Sequence, residues 1–508
     1  MPEVPVGIDL GTTNSCAFYY GTNGNFKCVD YPGGRKLFPS FVRYSKTGIT
    51  SGNSAKLYFG RAKNVVRNAK RLIGRYYSSQ EVKNALDYCG VPVVDRGNKP
   101  FFYIKETNTY YSPSDVGAEI LKEIKKAIED NSGCTIGDVV VTIPANFDHN
   151  QRQATREAIS KAGFNMNRVK LLNEPSAAAI CYGLVQDASN KKILVYDFGG
   201  GTFDVSILDI SNGNYKVLVH DGDNFLGGSN IDEIILDWLI KEFEKIYGEE
   251  LIPANLSPEV KNQTRSGLLS LCEQAKEQLS CLDEYEMEPQ IYMDEGYSVT
   301  ITRDILNDLI DKELDKTMKI VKRALNKASL SKQNISRVVL VGGSTRLLLV
   351  QKKLADYFGK EKTTQSVNPD ECVAQGACMA LVNNVLPKEK TAFSLGTSLI
   401  NNEVECIIPS NHDIPCSKSV ILTTAVDYAE TIYTQLCQGR STYVEEVVPL
   451  AECTVLKAYQ YGGFPKKPRG QVHFNTTFSY DGESKVRVIV ICQETGVELL
   501  NTELNWDS

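Results

Sequence analysis

One short unit occurs twice in this chain, almost two hundred residues apart, and no other feature restricts the fold as strongly. Val6-Gly7-Ile8-Asp9-Leu10-Gly11-Thr12-Thr13 and Leu194-Val195-Tyr196-Asp197-Phe198-Gly199-Gly200-Gly201-Thr202 follow the same plan. Each is an apolar strand, an aspartate, one apolar residue and a small-residue turn ending in threonine. A repeat of this kind implies two related halves facing one another across a cleft. Glycine in such a turn lets backbone N–H groups come close to a phosphate, and threonine hydroxyls add donors there. An aspartate just before the turn is placed to hold Mg²⁺ through the waters this cation tends to keep. One such turn alone reads equally well as a tight β-turn with an Asx hydrogen bond. Two in register point to a triphosphate gripped from both sides.

The surrounding pattern is α/β. Val4 to Leu10, Val139 to Ile143, Ile193 to Asp197, Phe203 to Leu208 and Val338 to Val341 read as buried strands. Ser114 to Asp130, Asn150 to Ala162 and Asn230 to Tyr247 carry helical periodicity between them. From Thr391 onward short β-rich runs take over: Val404 to Ile408, Ser419 to Thr424, Thr431 to Leu436, Val472 to Tyr480 and Ser484 to Ile491. Tyr480-Asp481-Gly482 marks a hairpin between the last two. The expected organisation is an ATPase domain over 1–385, a polar linker over 386–392 and a small antiparallel β domain over 393–508. No G-x-x-x-x-G-K-[ST] loop occurs, and no G-x-G-x-x-G follows a strand, which argues against the Walker and dinucleotide folds. A third turn, Gly342-Gly343-Ser344-Thr345-Arg346, suits the nucleoside end of a ligand, where arginine stacks on a base or meets a phosphate.

Bulk properties exclude several classes. A chain of 508 residues exceeds one core, and its 42% hydrophobic and 23% charged content is that of an ordinary globular protein. A net charge of −6 gives no reason to expect nucleic acid or an anionic membrane as partner. No apolar run approaches the ~18 residues of a membrane helix, and Met1 to Asp9 lacks a secretory pattern. The fourteen cysteines are scattered without a C-x-x-C pair, and only four histidines are present, so a reducing cytoplasm is expected and a zinc site is not.

Several motifs together resemble the heat shock protein 70 chaperones. They are Gly7 to Cys16, Asn68 to Arg75, Gln151 to Thr155, Asn173 to Ala179, Asp197 to Asp204 and Gly342 to Arg346. The likeness is collinear from Val6 to about Leu381 and continues more weakly through Phe393 to Gly396, Ile414-Pro415 and Pro468-Arg469-Gly470. It implies an actin-like (duplicated ribonuclease-H-like) ATPase followed by a peptide-binding β-sandwich. It implies ATP or ADP with Mg²⁺ as cofactors. As partners it implies unfolded or nascent polypeptide, a J-domain co-chaperone and a nucleotide-exchange factor, with the ribosome a candidate for this length class.

Residue by residue, the resemblance assigns Lys70 to the γ-phosphate and the attacking water, and Glu174, Asp197 and Thr202 to the same catalytic group. Asp9 and Asp197 would hold the metal through water, with Asp204 nearby. Nucleotide contacts fall to Gly11, Thr12, Thr13, Asn14, Gly199, Gly200, Gly201, Thr202, Gly228, Gly342, Gly343, Ser344, Arg346 and Asp370. Glu273, Lys276 and Ser280 match ribose and base contacts, and Pro144 and Arg152 match the pair that relays nucleotide state between domains. Phosphoryl transfer of this type is mostly positioning and charge neutralisation, so no covalent nucleophile is expected. The peptide groove would be lined by Thr397, Leu399, Ile400, Leu422, Ala425, Ile432 and Thr434, with backbone pairing and one apolar pocket as the recognition mode.

The chain departs from the family at identifiable places. Glu277 stands where an arginine usually stacks on adenine, Ser229 replaces an acidic residue, and Asn401-Asn402 replaces a glycine pair. The usual leucine-rich linker is here Val385-Leu386-Pro387-Lys388-Glu389-Lys390, and the chain stops at Ser508, where a helical lid would follow. Three readings follow: a chaperone ATPase with weak interdomain coupling, an ATP-binding ribosome-associated scaffold with little peptide binding, or a small-molecule kinase of the same superfamily.

Overall fold

The computed structural model describes residues 2–186, 190–211, 213–289, 296–363, 367–385, 387–401, 403–439, 448–449, 453–482 and 485–504. Leu386, Asn402, Ser484 and Ser508 lie outside the described residues. The chain divides into two units, one of Met1–Ala145, Ala154–Tyr215 and Asp221–Leu386, the other of Asn146–Gln153, Lys216–His220 and Pro387–Ser508.

The repeat is visible as a repeated piece of sheet. Glu3–Asp9 turns through the first glycine-threonine loop into Asn14–Tyr20, its antiparallel neighbour, and lies parallel to Thr135–Ile143 on its other side. Val169–Asn173 and Phe26–Cys28 extend this sheet at its two ends. Lys191–Phe198 likewise turns through the second loop into antiparallel Phe203–Ser211 and lies parallel to Arg337–Val341. Asp9 pairs with Cys16 in the first hairpin and Asp197 with Asp204 in the second, so the two aspartates close equivalent strands. Parallel strands need cover on both faces. Val4, Val6 and Ile8 supply one buried face of the first strand. On the other face lies the helix Cys372–Val382, so close that a Cβ at Gly7 would stand 2.3 Å from the Cys378 amide nitrogen. No residue but glycine fits there.

The second unit is built on two antiparallel sheets. One runs Val448–Pro449, Glu403–Ile408, Ser394–Ser398, Thr431–Gly439, Cys453–Gly462, the other Cys416–Thr423, His473–Tyr480, Val486–Cys492, Glu498–Leu504. Period-two alternation places Phe474, Phe478, Val486, Val488 and Val490 in one core with Leu395, Ile408, Leu436 and Tyr461. The expected hairpin forms: Tyr480 pairs with Val486, and Asp481 Oδ1 accepts from the Lys485 amide at 2.9 Å. From Pro387 to Lys390 the contacts are polar. Val217 N donates to Lys388 O at 3.0 Å, His220 Nε2 lies 3.1 Å from Glu389 Oε2, and Lys390 Nζ lies 2.7 Å from Asp413 Oδ1.

His149, whose amide donates to Gln438 Oε1 at 3.3 Å, is buried in this unit. Burial, and then the charge of Arg152, push its imidazole from 6.5 down to about 4. The unfolded chain therefore takes up this proton as pH falls below 6.5, while the fold resists until about 4. Stability present above pH 6.5 is lost across that window, by at most about 3 kcal/mol. Urea midpoints of the wild type should fall between pH 7 and pH 4.5, and those of His149→Gln should fall less steeply. Parallel curves would refute the assignment.

Candidate active site

Both loops open onto one cavity of about 410 Å³ in the first unit. Its walls include Asp9, Gly11, Thr12, Thr13, Asn14, Lys70, Glu174, Asp197, Gly199, Gly200 and Thr202 at one end, and Glu273, Lys276, Ser280, Gly342, Gly343, Ser344, Arg346 and Asp370 elsewhere. Gly201 and Gly228 do not line it but hold the loops in place. The Gly228 carbonyl accepts from Lys276 Nζ at 3.1 Å, and a Cβ on Gly201 would meet Thr12 Cγ2 at 2.8 Å. The two loops touch, since a Cβ on Gly200 would stand 2.0 Å from Thr13 Oγ1. Ser229 secures the second loop with both its groups, amide and hydroxyl donating to Gly200 O at 2.8 and 2.9 Å.

Lys70 sits in the tight turn Ala69–Arg71, entered through Asn68 in the left-handed region at φ 57°. Asparagine tolerates that conformation, and its Nδ2 donates to Tyr88 O at 3.0 Å. The ammonium is thereby brought 2.7 Å from Glu174 Oε1, both side chains almost wholly buried. Glu174 opens the helix Glu174–Val185, where the helix dipole favours a carboxylate. Burial opposes the Lys70 charge, but Glu174 and Asp9 outweigh it and the net pKa is raised. Asp9 is pushed up to about 7, by burial first and by the charge of Glu174 second. Asp197 is raised by burial, Glu174, Asp204 and Asp9 in that order. Three buried carboxylates with one lysine make a site short of positive charge, and a hard dication such as Mg²⁺ fits that donor set. Among the described residues no three His, Cys, Asp or Glu side chains are grouped so that they could ligate a metal directly.

Arg346 lines the cavity, and its guanidinium donates to Asp370 Oδ2 at 2.6 and 3.0 Å. Gly342, at φ +81°, has its would-be Cβ 2.6 Å from Phe198 O, so the third turn needs glycine for both reasons. Pro144 is buried just beyond Thr135–Ile143, and Arg152, also buried, donates from Nε to Phe147 O at 3.1 Å. Of the groove positions, Ile400 is 70% exposed, Ala425 is exposed, and Leu399, Leu422 and Ile432 are half-buried. Thr397 and Thr434 face inward, Thr434 Oγ1 lying 2.8 Å from Tyr461 Oη, so their side chains contribute to the core.

Sequence reasoning did not single out Leu37, Phe41, Arg67 or Asp232 as cavity residues. Asp232 holds Lys276 at 2.6 Å, a buried partner 44 positions away that no local pattern reveals. Glu277 does line the cavity, its carboxyl raised by burial and by the charge of Glu273. Replacing it with arginine removes that repulsion and supplies a guanidinium, so Glu277→Arg should tighten ATP by roughly 0.5–2 kcal/mol in calorimetry. Unchanged affinity would mean that position 277 does not face the base.

A family profile described as Hsp70 protein matches residues 5–500. Members of that family are ATP-binding chaperones and ATPases that use ATP and ADP with Mg²⁺, bind unfolded polypeptide and work with J-domain and nucleotide-exchange partners. Its actin-like fold of mixed sheets and helices is consistent with the paired sheets of the first unit. The profile covers almost the entire sequence, and this chain belongs to the Hsp70 family.

Proposed function

We propose that this protein hydrolyses Mg-ATP in the cavity between the two glycine-threonine loops and couples hydrolysis weakly to binding of unfolded or nascent polypeptide. The observation that carries the reading is the buried Lys70–Glu174 pair at 2.7 Å, set beside Asp9 and Asp197 on equivalent strands. Thr12, Thr13 and Thr202 would donate to the phosphates, and Lys70 would meet the γ-phosphate charge. Glu174 would orient the attacking water, and Asp9 and Asp197 would hold the metal's waters. Magnesium, when bound, supplies neutralisation of the developing phosphate charge. The scattered cysteines fit a cytoplasmic setting. Release of inorganic phosphate from ATP by the purified chain tests the hydrolysis, and its absence with Mg²⁺ present would refute it.

Weak coupling is supported by the linker's composition. Interdomain signalling needs contacts that differ between nucleotide states. Pro387, Lys388, Glu389 and Lys390 offer little apolar area, and the contacts of Lys388, Glu389 and Lys390 are polar. Peptide affinity should therefore change less than about tenfold, or ~1.4 kcal/mol, between ATP and ADP. Fluorescence anisotropy of a labelled peptide measures this, and a large ATP-driven release would contradict it. One observation favours the second reading, a ribosome-associated scaffold with little peptide binding: the inward position of Thr397 and Thr434. Absence of peptide binding in either nucleotide state would select it.

A further inference from the structure

Arg67 is a buried cation in the cavity wall to which no role has yet fallen. It is 4% exposed and lines the same cavity as Lys70 and Glu273. Its Nε donates to Tyr88 O at 3.1 Å, and its guanidinium carbon lies 4.6 Å from the centre of the Phe59 ring. Nη1 is 3.9 Å from Glu273 Oε2, beyond hydrogen-bond reach. Nη2 has no hydrogen-bond partner among the described residues.

The neighbouring carboxylates already have cations of their own. Glu273 Oε1 takes Lys56 Nζ at 3.1 Å, Asp232 takes Lys276 at 2.6 Å, and Glu233 takes Arg265. Nη2 of Arg67 is therefore a charged donor without an acceptor among the described residues, on a side chain in the wall of a cavity. Buried donors are nearly always satisfied, and although Nη2 itself is shielded from water, the side chain forms part of the cavity wall, so a small shift of the guanidinium would bring a donor to what enters the cavity. Its position is fixed in advance, because Arg67 and Asn68 both donate to the Tyr88 carbonyl and the phenyl ring supports the guanidinium. Pre-organisation of this kind lowers the entropy cost of gripping a ligand.

We propose that Arg67 is a further nucleotide-binding residue, its guanidinium donating to an acceptor oxygen of the nucleotide in the cleft. This rests on the reading of the cavity as a nucleotide site. Since Arg67 and Lys70 belong to one short, anchored segment, the contact ties nucleotide occupancy to placement of the catalytic lysine. Loss of Arg67 should act first on binding, raising Kd and KM.

The experiment uses the full chain with Arg67→Met and Arg67→Lys, titrated calorimetrically with ATP, ADP and adenosine, alongside thermal melts. Arg67→Met should weaken ATP at least about tenfold, and Arg67→Lys should recover part of that loss by restoring the charge without the fork. A loss shared by adenosine places the acceptor on the nucleoside, and a loss confined to ATP and ADP places it on a phosphate. Wild-type affinity for all three ligands in Arg67→Met would overturn the proposal, whatever happens to the melting temperature. Should Arg67→Met fail to fold, Arg67→Lys decides alone: affinity for ATP weaker by at least about threefold supports the contact, and equal affinity overturns it. Failure of the wild type to bind ATP would instead reject the nucleotide site itself.

Discussion

Replacing Lys70 with alanine is expected to lower the single-turnover rate of ATP hydrolysis at least about a hundredfold while ATP still binds. The geometry leaves no substitute for this ammonium. It lies 2.7 Å from Glu174, and the adjacent Arg71 is committed to Gly200 O and Asn230 Oδ1 at 3.4 and 3.3 Å. Without Lys70 the buried carboxylates Asp9, Glu174 and Asp197 lose the cation that lowers the pKa of both aspartates. The γ-phosphate would then approach a site with the wrong sign of charge. Binding should survive because, in the proposed site, Thr12, Thr13 and the second loop would still hold the phosphates. Rapid-quench measurements on labelled ATP read the rate directly, and an unchanged rate would remove Lys70 from the mechanism.

Asp232→Ala should be among the most destabilising single changes in the first unit, at about 3 kcal/mol. Lys276 and Asp232 form a buried pair at 2.6 Å, the aspartate side chain 5% exposed. Removing one partner strands the other charge in a low dielectric, which is far costlier than the net worth of the pair. The value sits at the low end for broken buried pairs because Glu273 also attracts Lys276, and the Gly228 carbonyl still accepts from it. Urea denaturation of the nucleotide-free protein measures the loss. A change under about 0.5 kcal/mol, the range of ordinary surface substitutions, would show that the pair is not buried as described.

Much of the scaffold was legible because its signals are local. The alternation through Val4, Val6 and Ile8, ending at Asp9, specifies a strand and a turn without distant information. The same arrangement at Ile193 to Asp197 then relates the two halves. Lys70 and Glu174 were assigned by resemblance, and the fold brings them together from 104 positions apart. What stayed hidden depends on partners far along the chain. Asp232 lies in the helix Gly228–Tyr247, where an acidic residue reads as surface until Lys276 is seen beside it. Arg67 reads as one more solvated arginine, and only three-dimensional packing against Phe59 and Tyr88 shows that it is inside. The groove positions failed to separate for a simpler reason. Alternation in a strand says which residues share a face but not whether that face meets a core or a ligand, and Thr434 turned inward.

The activity proposed for this protein is Mg-dependent ATP hydrolysis in the two-loop cavity. The most direct test is phosphate release from ATP by the purified full chain, with MgCl₂ and with excess EDTA, in the absence of any acceptor molecule. Slow turnover is expected with Mg²⁺, none with EDTA, and a loss of at least about a hundredfold in Lys70→Ala measured alongside. Turnover that appears only when a sugar or other small alcohol is added, with the phosphate found on that molecule, would contradict it.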